Sequence, residues 1–152
     1  MVHIEVSHTF PVSVSEAFAY ITDMKNWPKF WPDFVRIENP SEAKWSNPSD
    51  KVKVVIKLFN RERALNMELK EFKRDTRVTY VSRHQGLPDA RHERHFKTVP
   101  AGCEYQLVVE YEPRRGFPGI FDRLLVKGSV KKTLQNLNSV FKFDFCYKYQ
   151  NG

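Results

Sequence analysis

SVSEAFAYITDMKNWPKFWPDFVRIE, from Ser13 to Glu38, is the stretch whose reading decides the fold. Ser13 followed three residues later by Glu16 is a capping box, so a helix begins here. Val14, Ala17, Phe18 and Ile21 recur at helical spacing and give that helix one buried stripe. Pro28 and Pro32 stop further helix. Trp27, Phe30 and Trp31 are expected to plug one end of the domain, and Phe34 opens a strand.

Upstream, Val2, Ile4, Val6 and Phe10 alternate with His3, Glu5, Ser7 and Thr9, which marks a first strand ended by Pro11. Downstream, the alternation predicts strands over about 34–44, 51–59, 62–73, 76–84, 89–99 and 102–112. Asn47-Pro48-Ser49-Asp50, Asn60, Asp75, Gly86 and Pro100-Ala101-Gly102 supply the turns. No connection needs a crossover helix, so the sheet is expected to be an antiparallel meander.

The last third holds two apolar stripes. At about 100° per residue, Phe117, Ile120, Phe121, Leu124, Leu125 and Gly128 share one side, while Val130, Leu134, Leu137, Phe141 and Phe145 share another. This pattern predicts a short helix from about 118 to 127, a bend at Gly128 and a long helix from 129 to about 146. The short helix would be a flap over a cavity mouth. Phe141 to Tyr149 also alternates like a strand, but Phe141 and Phe145 continue the helical stripe, and the helix is preferred.

Composition bounds the function. The chain has 152 residues, 41% apolar and 28% charged, enough for one domain over 1–152 that buries roughly 70% of its unfolded surface. No segment reaches the ~18 apolar residues of a membrane span. Cys103 and Cys146 are too few for a disulfide framework, which makes a reduced, cytoplasmic setting the default. The net charge of +7 raises ribosomes or another anionic surface as partners. Yet Lys51, Lys53 and Lys57 alternate with valines and isoleucine as on the wet side of a strand, and no DNA partner is expected. Monomer and homodimer both remain open.

The inward faces carry the candidate site. Leu65, Met67 and Leu69 align on one strand, and Cys103, Tyr105, Leu107, Val109 and Tyr111 on the last. Polar exceptions fall on the two strands between: Tyr80, Ser82 and His84 on one, His92 and Arg94 on the other. If both sets face inward, they converge in an apolar cavity, the usual form of a small-molecule pocket. A four-residue loop at 85–88 would instead align Arg91, Glu93 and His95 with Tyr80, since a slip of one residue reverses every side chain. Arg94 inward is preferred, because Phe96 then joins the core and Lys97 meets water. The ligand-binding candidates are thus Trp31, Met67, Tyr80, His84, His92, Arg94, Tyr105, Tyr111, Phe121 and Leu124. No metal or cofactor is expected: His92 and His95, three apart on a strand, point to opposite faces, and no nucleotide, zinc or serine-nucleophile motif occurs.

The Ala17-Phe18, Asp23, Trp27-Pro28 and Trp31-Pro32 corner, with Gly116-Phe-Pro-Gly119, Leu124-Leu125, Leu134 and Leu137, resembles the START-like (SRPBCC, Bet v 1-like) superfamily, in its polyketide cyclase/dehydrase branch. The resemblance implies an α+β helix-grip fold: a seven-stranded curved antiparallel sheet wrapped around a long C-terminal helix, with an internal cavity. It further implies binding of a hydrophobic small molecule such as a lipid, quinone or polyketide-like compound. Alternatively, it implies a cyclase/dehydratase in which Tyr80 or a His moves protons and Arg94 stabilises an enolate. A ribosome-binding, toxin-like role is a third class. One scaffold hosts all of these, so the cavity must decide.

Overall fold

Alternating apolar residues build strands wherever the chain permits, and the computed structural model describes residues 1–58, 60–84, 88–112 and 118–145, with the side chains of 118–125 and 143–145 left aside. The elements are β1 (Val2–Phe10), α1 (Val14–Thr22), α2 (Trp27–Phe30), β2 (Phe34–Ile37), β3 (Lys51–Leu58), β4 (Arg61–Lys73), β5 (Arg77–Arg83), β6 (Ala90–Val99), β7 (Gly102–Tyr111) and α3 (Pro118–Ser139). Among the described residues the seven strands form one antiparallel sheet in the order β1-β7-β6-β5-β4-β3-β2. The α+β helix-grip expectation is met.

The α1 capping box forms as read: Ser13 Oγ accepts from the Glu16 backbone N–H at 3.1 Å, and Ala17, Phe18 and Ile21 are buried. A bulge at Lys70 bends β4, since Leu69 faces Tyr80 while Glu71 faces Thr79. The bulge keeps apolar side chains inside on both sides of it. Leu65, Met67 and Leu69 are buried before it, and Phe72 reaches Phe18 at 5.2 Å beyond it.

α3 closes the inner side with Val130, Thr133, Leu137 and Phe141 buried along one stripe. Phe141 lies on a π-helical turn, Val140–Phe145, and packs its ring 4.9 Å from Phe10 and 5.5 Å from Tyr20. Polar contacts fix the helix position. Asn136 Nδ2 donates to the Phe30 carbonyl at 3.1 Å, and Ser129 Oγ donates to Asp33 at 2.8 Å.

Two expectations are corrected. α3 runs unbroken from Pro118 to Ser139, so the short helix expected to end before Gly128 is not a separate element. Glycine costs a helix about 1 kcal/mol relative to alanine but keeps its N–H, so the hydrogen-bond ladder continues through it. The helix does persist past Phe141, as preferred over a strand; residues 146–152 lie outside the described residues. The second strand also ends at Ile37 rather than near 44. Asn39 stops it by using its side-chain oxygen, not its backbone, to accept from Lys53 N–H at 3.0 Å, and Pro40 follows with no N–H to pair.

Gly102 opens β7 at φ +137°, where an added Cβ would stand 2.2 Å from the Phe10 carbonyl oxygen. Gly102→Ala is therefore expected to lose at least about 2 kcal/mol of stability in urea unfolding. Gly128, helical and with open space around it, is expected to gain about 0.5–1 kcal/mol on substitution by alanine. Equal effects of the two changes would contradict this account.

Candidate functional site

The β5–β6 register decides which polar side chains meet. Tyr80 pairs with His92, Val78 with Arg94 and Ser82 with Ala90, so Tyr80, Ser82, His92 and Arg94 share the concave face. The alternative alignment of Arg91, Glu93 and His95 with Tyr80 does not occur. Those three occupy the other face, where Glu93 pairs with Arg91 at 3.3 Å and His95 at 3.5 Å.

Arg94 Nη2 donates to Tyr80 Oη at 3.0 Å. Although Arg94 as a residue is only partly buried, its Nε is shut off from solvent and has no hydrogen-bond partner. Among the described residues no carboxylate pairs with it, and the nearby Glu71 is taken by Arg77 at 2.6 Å. Burial works against the guanidinium charge, the Tyr105 and Tyr80 phenols favour it, and the balance lies above the ordinary arginine value. Tyr105, fully buried between Phe10 and Phe96, faces the same cation without a hydrogen bond of good geometry. Burial pushes its phenol up to about 12, with Arg94 acting in the opposite direction.

His92 stacks flat on Tyr80, with centroids 4.4 Å apart and planes 5° apart, and its Nε2 meets Ser82 Oγ at 2.9 Å. Burial first, and the Arg94 charge second, lower its pKa to about 3. The imidazole is neutral at physiological pH.

Arg94 and Tyr80 line a recess of about 220 Å³, measured with its opening to solvent, together with Met67, Val78, Ile21, Thr22, Trp27 and Trp45. The space left free inside it is about enough for one water molecule, too little for a lipid chain. Local chemistry sets each wall. Trp27 Nε1 donates to the Ile21 carbonyl at 3.1 Å, which fixes the indole against the end of α1. Trp45 is held by a loop that Asp50 clasps, accepting from the Ser46 and Asn47 N–H groups at 2.9 and 2.8 Å. Those two bonds hold the Asp50 carboxyl below its ordinary value. Trp45 then meets Trp27 edge-on at 5.6 Å and Tyr80 at 5.3 Å.

Of the residues singled out from the sequence, Met67, Tyr80 and Arg94 line this recess, and His92 and Tyr105 adjoin it through Tyr80 and Arg94. Trp31 backs Trp27 at 6.0 Å instead of lining the recess. His84 lies just past the end of β5, and buried Tyr111 pairs with Ala90, roughly 13 Å along β6 from Arg94 at about 3.3 Å per residue. The side chains of Phe121 and Leu124 lie outside the described residues. Trp45 was missed: its loop was read as strand and turn, and only the aromatic residue itself hinted at burial. Among the described residues the wall opposite the sheet is α1, α2 and Trp45, not α3. No group of three or more His, Cys, Asp or Glu among the described residues is placed to hold a metal ion. None of their helices is long and apolar enough to cross a membrane.

Comparison with known proteins places this geometry. Residues 1–142 match the model of a family described as polyketide cyclase / dehydrase and lipid transport. A START superfamily protein from Mycobacterium smegmatis superposes with a TM-score of 0.75 at 8% identity, covering 92% of this chain and 97% of that one. A Chromobacterium violaceum protein gives 0.73 at 14% identity, covering 91% and 96%. DynU16, from the dynemicin biosynthetic locus, gives 0.71 at 12% identity, covering 93% of this chain and 48% of that one. At these identities the likeness is one of fold. No curated protein matches the sequence.

The partly buried imidazole has a measurable consequence. Because the folded His92 pKa lies below the unfolded value of about 6.5, the unfolded chain binds the extra proton between about pH 6.5 and 3. Its contribution to stability is complete above pH 6.5 and is lost as pH falls towards 3. His92→Phe keeps a stacking ring without a titrating group. Urea unfolding from pH 7 to 4 is expected to fall less steeply in this variant than in the wild type; parallel profiles would contradict the assignment.

Proposed function

The chain belongs to the polyketide cyclase / dehydrase and lipid transport family, and from that premise we propose that it binds a hydrophobic small molecule whose oxygen-bearing end meets Arg94. The observation that carries this reading is the enclosed guanidinium Nε without a partner at the edge of an apolar recess. A pocket of mostly apolar walls with one or two placed polar groups orients a ligand through those groups. Arg94 would supply a charged donor. Tyr80 Oη, already accepting from Arg94, keeps its own O–H free to donate to the same ligand oxygen. The recess is narrow, so binding would part its aromatic walls, with Trp45 on its loop the side chain placed to move.

The Arg94–Tyr80 pair also favours a second reading, a cyclase/dehydratase in which the phenol delivers a proton to an enolate that Arg94 stabilises. His92 supports that reading poorly as a base, because efficient proton transfer wants a pKa near the working pH and its value is about 3. Basic residues stand beside acidic ones in surface pairs such as Arg36–Glu62 and Arg91–Glu93, which leaves the net +7 unchanged but interleaves it with negative charge and weakens the case for a ribosome-binding role.

Native mass spectrometry with organic extraction tests the binder reading. An apolar compound is expected to co-purify with the wild type, and Arg94→Met is expected to retain about tenfold less or lower still, as for loss of a charged hydrogen bond. Its urea midpoint should stay level or rise, since an uncompensated buried charge has been replaced by an apolar side chain of similar length. Undiminished retention by Arg94→Met would overturn the role of Arg94. Turnover of a poly-β-keto mimic that disappears in Tyr80→Phe would favour the enzyme instead.

A further inference from the structure

We infer that the ligand is a monoanion, a compound with an apolar body and one carboxylate, enolate or phenolate group, rather than a neutral lipid or quinone. The inference rests on the binder reading and adds the charge of what binds.

Arg94 is the only charged group among the described residues that line the recess. Its one hydrogen-bond acceptor there is the phenol oxygen of Tyr80, and the Tyr105 group beside it is a phenol that burial pushes up to about 12. A guanidinium has five N–H donors in a planar fork matched to two oxygens of one anion. Enclosed charges in folded proteins are ordinarily paired with an opposite charge, because a neutral partner leaves most of the lost hydration unreplaced. Glu93, next to Arg94 in sequence, and Glu71, two strands away in the same row, are committed on the outer face, Glu71 to Arg77 and Glu93 to Arg91 and His95. His92 adds no second positive charge, being neutral and bonded to Ser82. Among the described residues the site therefore carries a single positive charge with no compensating carboxylate. A neutral ligand leaves it uncompensated, and a dianion leaves an excess of negative charge in the same apolar surroundings. The aromatic and aliphatic walls of Trp27, Trp45, Met67 and Val78 favour an apolar body next to the anionic end.

Isothermal titration calorimetry with 2-naphthoate, its neutral isostere 2-naphthamide and the dianionic 2-naphthyl phosphate tests this. The wild type is expected to bind naphthoate at least about tenfold more tightly than naphthamide, the usual advantage of a charge-assisted bond. Naphthyl phosphate should bind no more tightly than naphthoate. Arg94→Met should bring the naphthoate-to-naphthamide ratio near one, while Arg94→Lys should keep part of it. Should Arg94→Met fail to fold, Arg94→Gln keeps a polar side chain without the charge, and the ratio should again approach one. Equal affinity for acid and amide in the wild type, a preference that survives both Arg94→Met and Arg94→Gln, or tightest binding of the phosphate would each overturn the monoanion inference. If none of the three binds, the pocket reading falls and this inference with it.

Discussion

A guanidinium with phenols for neighbours and no carboxylate among the described residues is the constraint around which the interior is arranged. Arg94 stands where two runs of aromatic contacts meet. One passes from Tyr20 through Phe141, Phe10, Tyr105, Phe96 and Phe18 to Phe72 and ties the C-terminal π-turn to the sheet and to α1. The other passes from Phe34 through Trp31, Trp27, Trp45 and Tyr80 to His92 and ties the tryptophan-proline corner to β5 and β6. Arg94 bonds Tyr80 of the second run and faces Tyr105 of the first. Tilted and edge-on ring contacts of this kind favour particular orientations as well as burial. The cation is thus held by residues that also build the core, which is why its position is well defined without an ion pair.

The sheet must curve for those runs to meet, and local backbone devices supply the curvature. The bulge at Lys70 turns β4 toward α1, and a shift between Phe34 and Arg36 does the same for β2. Gly102 lets β7 start within contact distance of the end of β1, where no side chain fits. Asp75, at φ 61° in the β4–β5 turn, accepts from Ser15 Oγ at 2.8 Å and so joins that turn to α1.

Most of the fold was legible because each strand hides one face and wets the other. The same logic favoured one of two β5–β6 registers: burying Phe96 and exposing Lys97 preferred Arg94 inside, and the pairing of Tyr80 with His92 decides for it. What escaped the sequence depended on interactions that leave no periodic trace. Asn39 ends β2 by a side-chain bond to Lys53, and an Asp50 clasp carries Trp45 beneath the sheet. Gly128 looked like a hinge because two apolar stripes disagree in direction, yet a glycine only weakens a helix and does not interrupt its ladder. The identity of a ligand lies further still from sequence, since the family scaffold is shared among unlike tasks.

The neighbour relation of β1 and β7 has a bearing on how the chain is made. Val2 aligns with Tyr111 and Phe10 with Cys103, so the first strand to leave the ribosome waits for the last one before its own edge is satisfied. At about 5–20 residues per second that interval is roughly 5–20 s. During it the central hairpins can zip locally, but the N-terminal segment stays unpaired and open to aggregation. Such distant pairing also slows refolding relative to a helical bundle of similar size. Nascent-chain handling, more than the stability of the finished domain, is then the step at which this architecture is most exposed.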